Sequence, residues 1–294
     1  MHTERAKNAV IIILIVLNAV VYLLNMERAG AFSLTTAQED AIQQMLARNN
    51  ISNYASFEGV SDFSPRRQMS TASFDYGILQ GLLLGSENVQ ETSGFERAIK
   101  TSPRGRVVLT QNNLTFEAAR EPGTVIPQIT EEEAEARADA FLTELTAAAD
   151  LNFTFSRIYT QLQTGGSDYV VFYLGVYNGT VIASNYARFL IDGAGIAQLS
   201  CTLAIPEGLT GQSREICSAD EALFTLCSEM PEEYAEHNNT TFLMKMELVY
   251  FMAERGGDRS VAIPYYMFTT RRAQDEPDRQ ERHLINAYTN SYYR

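Results

Sequence analysis

The sequence is poor in the residues on which many extracellular and catalytic sites depend. Its 294 residues include no tryptophan, three histidines and three cysteines. Without tryptophan the chain has no indole platform for sugars, although its 15 Tyr and 15 Phe could substitute. Cys201, Cys217 and Cys227 are too few and too irregularly spaced for a disulfide framework or a zinc site. Buried free thiols are the favoured interpretation, and a Cys201–Cys217 or Cys217–Cys227 bridge is the alternative.

Catalytic motifs are missing as well. The three histidines, His2, His237 and His283, lack metal-ligand spacing, and the chain contains neither H-E-x-x-H, nor G-x-S-x-G, nor a phosphate-binding Gly loop. Lys245 has no serine at the spacing of a Ser–Lys dyad. The acidic run 131–133 is interpreted as a helix N-terminus, where the helix dipole favours negative charge, rather than as a cation site. The sequence therefore predicts a protein that is not an enzyme and binds no cofactor or metal.

The charge balance is acidic, with 36 Asp and Glu against 23 Lys and Arg and a net charge of −13. This argues against nucleic acid, an anionic membrane surface or a polyanionic cell-wall polymer as the main partner. Beyond the first thirty residues the chain is still long enough for one large domain or two small ones with real cores.

One apolar segment, residues 9–26, contains no charged residue. At about 1.5 Å per residue it spans about 27 Å, close to the roughly 30 Å of a bilayer core. Arg5 and Lys7 precede it, so the positive-inside rule places residues 1–8 in the cytoplasm and the bulk of the chain outside. A retained transmembrane helix is the favoured interpretation. The alternative is a signal peptide cleaved after Ala31, where the sequence has the small-x-small pattern.

A polar residue in the middle of this segment favours the anchor. An amide in hydrocarbon costs free energy unless it finds a partner, and contacts of this kind between helices contribute about 0.6–2 kcal/mol. Asn18 falls on one helical stripe with other residues that a second transmembrane helix could contact: Ile11, Leu14, Val21 and Asn25. The stripe predicts a helix–helix contact, and the alternative is that Asn18 is simply tolerated.

Three capping boxes mark predicted helix starts. Thr36, Thr130 and Ser218 are each followed three residues later by Glu, and each opens an apolar stripe of helical period. The predicted buried positions are Ala41, Ile42, Met45 and Leu46 in the first helix, Ala134, Ala138, Phe141, Leu142 and Leu145 in the second, and Ala222, Leu223, Leu226 and Met230 in the third.

Antiparallel strands are predicted after the second and third helices. Asn178-Gly179 is a strong hairpin signal, and residues 242–253 alternate so that Phe242, Met244, Met246, Leu248 and Tyr250 share one face. The predicted fold class is α+β, with a single N-terminal transmembrane helix followed by repeated helix-plus-antiparallel-meander units. The predicted divisions are a cytoplasmic tail (1–8), a transmembrane helix (9–26), an N-terminal extracytoplasmic α+β domain (33–127) and a C-terminal extracytoplasmic domain (128–294) of two units, about 128–206 and 212–294.

The layout resembles a known family. A basic N-terminus precedes one apolar helix bearing Asn18, followed by "TTAQEDAIQQMLARNNI", "YVVFYLGVYNGTVIASNYARFLIDGAGIAQL" and "ELVYFMAERGGDRSVAIPYYMFTT…HLINAYTN". This is similar to the YycI-type regulators of Gram-positive bacteria, sisters of YycH, which modulate the WalK (YycG) sensor kinase of cell-wall homeostasis. The closing strands also resemble PepSY modules, although the Trp often found near Tyr265 and the Gly after the last strand, here Asn290, are absent.

The resemblance implies a function but no catalytic residues. It implies a membrane-anchored, non-catalytic regulator of a two-component sensor histidine kinase, with a WalK-like kinase and a YycH-like protein as partners. The transmembrane contact would be made by the stripe that contains Asn18. The alternative is an extracytoplasmic PepSY-like module that binds a wall component or inhibits a peptidase.

Overall fold

The computed structural model describes residues 44, 46–48, 51–53, 65–86, 88–94, 97–110, 113–121, 126–163, 166–229, 240–252, 261–272 and 280–293. Three bounded helices and fifteen strands lie in these ranges. The helices are α1 (Tyr76–Leu84), α2 (Glu131–Ala148) and α3 (Ala219–Glu229). The strands are β1 (Ile51–Asn53), β2 (Arg66–Ser73), β3 (Gln90–Ser93), β4 (Arg97–Ser102), β5 (Gly105–Thr110), β6 (Leu114–Ala118), β7 (Thr154–Leu162), β8 (Tyr169–Tyr177), β9 (Thr180–Asp192), β10 (Gly195–Thr202), β11 (Ala204–Arg214), β12 (Thr241–Phe251), β13 (Val261–Arg272), β14 (Glu281–Asn286) and β15 (Ser291–Tyr292).

All fifteen strands belong to one mixed sheet. Its longest path runs β11-β2-β13-β12-β9-β10-β6-β5-β4-β3, with β8 and β7 continuing from β9, and β14 and β15 continuing from β13. Most neighbouring strands are antiparallel, but β12 runs parallel to both β1 and β9. The β12–β9 link is a single residue pair, Tyr250 with Ile182.

Two helices cover one face of the sheet around the largest core. Ala134, Ala138, Leu142 and Leu145 of α2 are buried together with Leu79 of α1. The sheet residues that they cover are Val107, Leu114, Phe116, Val171, Tyr173, Ala187, Phe189, Leu199 and Cys201. The capping box predicted at Thr130 is confirmed, because Thr130 accepts from the Glu133 amide while the Glu133 carboxylate accepts from the Thr130 amide.

A second core lies beneath α3. Ala222, Leu223 and Leu226 of α3 pack on the strands together with Leu46, which is 1% exposed. The sheet side of this core consists of Ile51, Leu243, Met246, Tyr266, Phe268, Ile285 and Ala287. The predicted cap at Ser218 is confirmed by its bond from the Glu221 amide. The cap predicted at Thr36 lies outside the described residues.

The sheet curls back on itself at a third cluster. Phe172 and Leu174 of β8 are buried with Val249 of β12 and with Tyr265 and Met267 of β13. The guanidinium of Arg282 on β14 lies 4.2 Å from the ring centroid of Phe172 on β8, although three strands separate β8 from β14 in the sheet. At about 4.8 Å per strand, a flat sheet would keep these residues too far apart for this contact. One part of the face opposite α2 is thereby covered.

The chain leaves β10 and enters β11 through a segment held by side chains. Asn185 is fully buried; its Nδ2 donates to the Ala204 carbonyl at 2.7 Å, and its Oδ1 accepts from the Ala204 amide at 3.0 Å. The Leu203 amide donates to the Tyr76 hydroxyl at 2.9 Å, and Asn152 donates to the Pro206 carbonyl at 2.6 Å. These side-chain bonds satisfy backbone groups of Leu203, Ala204 and Pro206 and fix the path of the chain into β11.

The predicted fold class, α+β with repeated helix-plus-meander units, is wrong. The structure is mostly β, and the supposed units are not separate: β13 pairs with β2, β12 pairs with β1 and β9, and β10 pairs with β6. The unpredicted strand β11 continues the sheet through β2. The predicted transmembrane helix, residues 9–26, lies outside the described residues. Among the residues that the structure describes, no helix has the length and hydropathy to cross a membrane.

Candidate functional site

A transverse row of side chains crosses the sheet on the face opposite α2. Residues that pair directly across neighbouring strands point to the same face. From β7 to β5 the pairings join residues of six strands in the order Tyr159, Phe172, Arg188, Ser200, Thr115 and Val108. The row is therefore aromatic on β7 and β8 and polar on β9, β10 and β6, and it ends at Val108 on β5.

The aromatic end is packed. The rings of Tyr159 and Phe172 stack with centroids 5.4 Å apart, and Phe172 and Tyr186 stack at 6.0 Å. The Arg282 guanidinium lies over Phe172, 4.2 Å from the ring centroid. Burial lowers the pKa of Arg282, and its Nε has no hydrogen-bond partner among the described residues. Arg282 thus closes this end of the row by a cation–π contact.

The polar end opens into a shallow groove. It has a volume of about 230 Å³ over strands β5, β6, β10 and the middle of β9. We call it the arginine groove, and define it by Arg106, Val108, Thr115, Glu117, Arg188, Gln198 and Ser200. Arg106 pairs across the strands with Glu117, and Glu117 pairs with Gln198, so these three form a second row beside the first.

Local strand features place these side chains outward. Val107 of β5 is buried in the core that α1 and α2 cover, so alternation leaves its neighbours Arg106 and Val108 on the other face. The β10–β9 register shifts between Ile196 and Gln198, which is a β-bulge. A bulge changes the direction in which the next side chain points. Here the next residue is Gln198, which lines the groove.

The two groove arginines make no ion pair among the described residues. Arg106 and Arg188 are exposed, and within the described part of the chain neither guanidinium makes a hydrogen bond or an ion pair. Glu117 is also exposed, and makes no ion pair there. Guanidinium groups bind carboxylates through two parallel hydrogen bonds. The groove can therefore accept an anionic group beside hydrogen-bonding polar groups.

The residues predicted as a transmembrane contact, Ile11, Leu14, Asn18, Val21 and Asn25, all lie outside the described residues. The arginine groove was missed by sequence reasoning, because Arg106 and Arg188 belong to no motif. The available signal was weak: each arginine alternates with buried residues of a strand in an otherwise acidic chain.

The three cysteines and His283 lie in buried or partly buried environments within the fold. All three thiols are free, as favoured from the sequence, and burial raises the pKa of Cys217 and of Cys227, each to about 11. His283 is 5% exposed, and hydrogen bonds join its Nε2 to the Thr270 hydroxyl at 2.9 Å and its Nδ1 to the Tyr292 hydroxyl at 2.7 Å. Burial, and secondly the charge of Arg272, lower the pKa of His283 to about 4.

Comparison with known proteins finds weak structural neighbours, among them the following two. No protein-family model matches the chain, and no curated protein matches it. An uncharacterized protein from Eubacterium rectale ATCC 33656 is 14% identical with a TM-score of 0.48, over 78% of this chain and 86% of the other. YycH from Bacillus subtilis is 12% identical with a TM-score of 0.44, over 74% of this chain. The match spans 50% of the YycH chain.

Proposed function

We propose that this chain is a membrane-anchored, non-catalytic regulator of a two-component sensor histidine kinase, of the YycI type. The observation that carries the proposal is in the sequence: an uncharged segment with Asn18 at its middle precedes a chain whose later segments resemble that family. A WalK-like kinase and a YycH-like protein are the proposed partners. The N-terminus is proposed to lie in the cytoplasm, with the bulk of the chain outside.

Regulation through the anchor requires a difference between two kinase states. A helix packed beside the transmembrane helices of the kinase shifts their equilibrium only when it contacts one state better than the other. The stripe around Asn18 supplies such a contact through its amide, and the β-rich part of the chain would present partner surfaces outside the membrane. The direction of the effect follows from which kinase state the stripe prefers.

The test is the substitution Asn18→Leu in the full chain. Removal of the amide should leave membrane insertion intact or improve it, because leucine is more favourable in hydrocarbon. Association with a WalK-like kinase, measured by a bilayer two-hybrid assay or by crosslinking, should weaken by about 1 kcal/mol, the order of one interhelical amide contact. The matched control is Leu17→Ala, one residue away on another helix face, which should change association less.

Two results would contradict the proposal. Undiminished association in Asn18→Leu would make Asn18 a tolerated residue without a recognition role. A mature protein that begins at Phe32 would remove the anchor and favour the PepSY-like binding or inhibitor function. N-terminal sequencing of the protein recovered from cells separates these outcomes.

A further inference from the structure

The arginine groove is the part of the β5–β6–β10 face that stays exposed beside the packed aromatic row. We propose that it binds an extended acidic segment of a partner protein, with a carboxylate held between Arg106 and Arg188. The site does not depend on the transmembrane anchor or on the kinase, so this proposal can be tested independently of the proposed function.

The positions of the two arginines suit one bound carboxylate. Arg188 lies on β9 and Arg106 on β5, three strand spacings apart and two residues apart along the strand, so their Cα atoms are separated by about 16 Å at the usual spacings, which two extended arginine side chains can bridge with a carboxylate between them. Both side chains line the same groove, so a group bound between them is approached from two sides. Neither guanidinium would give up an existing partner among the described residues to bind it. Binding therefore breaks no ion pair there.

The other lining groups favour a peptide over a polyanion. The groove is lined by two guanidinium groups, Arg106 and Arg188, and one carboxylate, Glu117, so its net charge of +1 suits one carboxylate better than a phosphate dianion or a nucleic acid. A peptide also has backbone N–H groups, which can donate hydrogen bonds to the side-chain oxygens of Glu117 and Gln198. Thr115 and Ser200 add neutral hydrogen-bonding groups along the floor.

The open shape favours an extended segment. Alternate side chains of an extended peptide point the same way, so an acidic residue can face the arginines while the next acidic residue, two positions on, faces the same surface. Val108 provides an apolar contact at the β5 side of the groove. β-Branched residues between the acidic ones point away from the groove and favour the extended conformation of the segment.

The experiment uses the full chain in detergent and two blocked hexapeptides. One is acetyl-Thr-Asp-Val-Glu-Val-Thr-amide with a fluorescent label, and the other replaces Asp and Glu by Asn and Gln. Fluorescence anisotropy should show that the acidic peptide binds at least about tenfold more tightly. Arg106→Gln and Arg188→Gln should each weaken its binding about tenfold, the loss of one charge-assisted contact.

The matched control is Arg67→Gln, which removes an exposed arginine on β2, away from the groove. It should leave binding unchanged, and melting temperatures should show that all three variants fold. The proposal is overturned if the acidic peptide does not bind, if both peptides bind equally, or if Arg188→Gln binds like the wild type. Tighter binding of inorganic phosphate than of the acidic peptide, measured by competition, would also overturn it.

Discussion

Asp192 has only 3% of its side chain exposed, and its carboxylate is fully satisfied. Arg120 donates to both carboxylate oxygens at 2.9 Å, and the Ala194 amide donates to Oδ1 at 2.8 Å. Arg137 of α2 donates to the Asp192 carbonyl at 2.7 Å. A buried charge is tolerated only when paired and hydrogen-bonded in this way. The turn after β9 is thereby tied to α2 and to the segment that follows β6.

His283 makes the stability of the protein depend on pH. Its pKa is about 4 in the folded protein against about 6.5 unfolded, so the unfolded chain binds more protons between these values. The contribution of His283 to the free energy of unfolding should be fully present above about pH 6.5. It should be lost as the pH decreases towards 4, by up to about 3 kcal/mol. Urea unfolding of wild type and His283→Asn at several pH values checks this. The stability difference between the two proteins should shrink on acidification, and a difference independent of pH would refute the prediction.

At the scale of helices and strands, the local signals were largely reliable. The predicted Asn178-Gly179 turn is confirmed, with φ of 49° at Asn178 and 77° at Gly179, as a hairpin turn of this type requires. The face predicted for β12 is only partly right, because the β12–β13 register shifts between Leu243 and Lys245. The bulge puts Leu243 rather than Met244 in the core with Met246. A strict alternation cannot reveal such an inserted residue.

Helix α3 offers a sharp comparison of two neighbouring positions. Leu226 is 1% exposed and Phe224 is 61% exposed, on the same helix. Leu226→Asp should destabilise the full chain by several kcal/mol, since it buries an unpaired carboxylate in the core beneath α3. Phe224→Asp, the matched control, should change stability by about 0.5 kcal/mol or less. Equal melting temperatures for Leu226→Asp and wild type would show that Leu226 is not a core residue.

At the scale of the whole molecule, several contacts among the described residues join the two helix-covered parts of the sheet. They include the parallel pair between β12 and β9, a buried cluster in which Ile182 packs with Tyr250 and Met252, the cluster where the sheet curls, and the passage from β10 to β11 held by Asn185. Because β11 pairs with β2, and β2 with β13, the Asn185 contact connects the core beneath α2 to the far side of the sheet.

Asn185→Ala tests this connection. It leaves the buried amide and carbonyl of Ala204 without their partners, at about 1–3 kcal/mol for each group. Protection from hydrogen exchange should decrease in β11 and β2 as well as in β9, measured by mass spectrometry on the full chain. The control is Asn178→Gly at the exposed hairpin turn, which should change protection only locally. Loss of protection confined to β9 would show that the connection is not energetically important.

The sequence by itself determined the local features of this protein. Each of these features depends on residues only a few positions apart, so residue propensities and the period of apolar residues are enough to predict it. They are the caps at Thr130 and Ser218, the turn at Asn178 and the buried stripe of α2. Only the tertiary structure decided that all strands join one sheet, that β2 lies between β11 and β13, and that Arg106 and Arg188 share a groove. Pairing between strands distant in the chain depends on side-chain packing across them and on the entropy of loop closure. No local pattern in a single sequence carries that information.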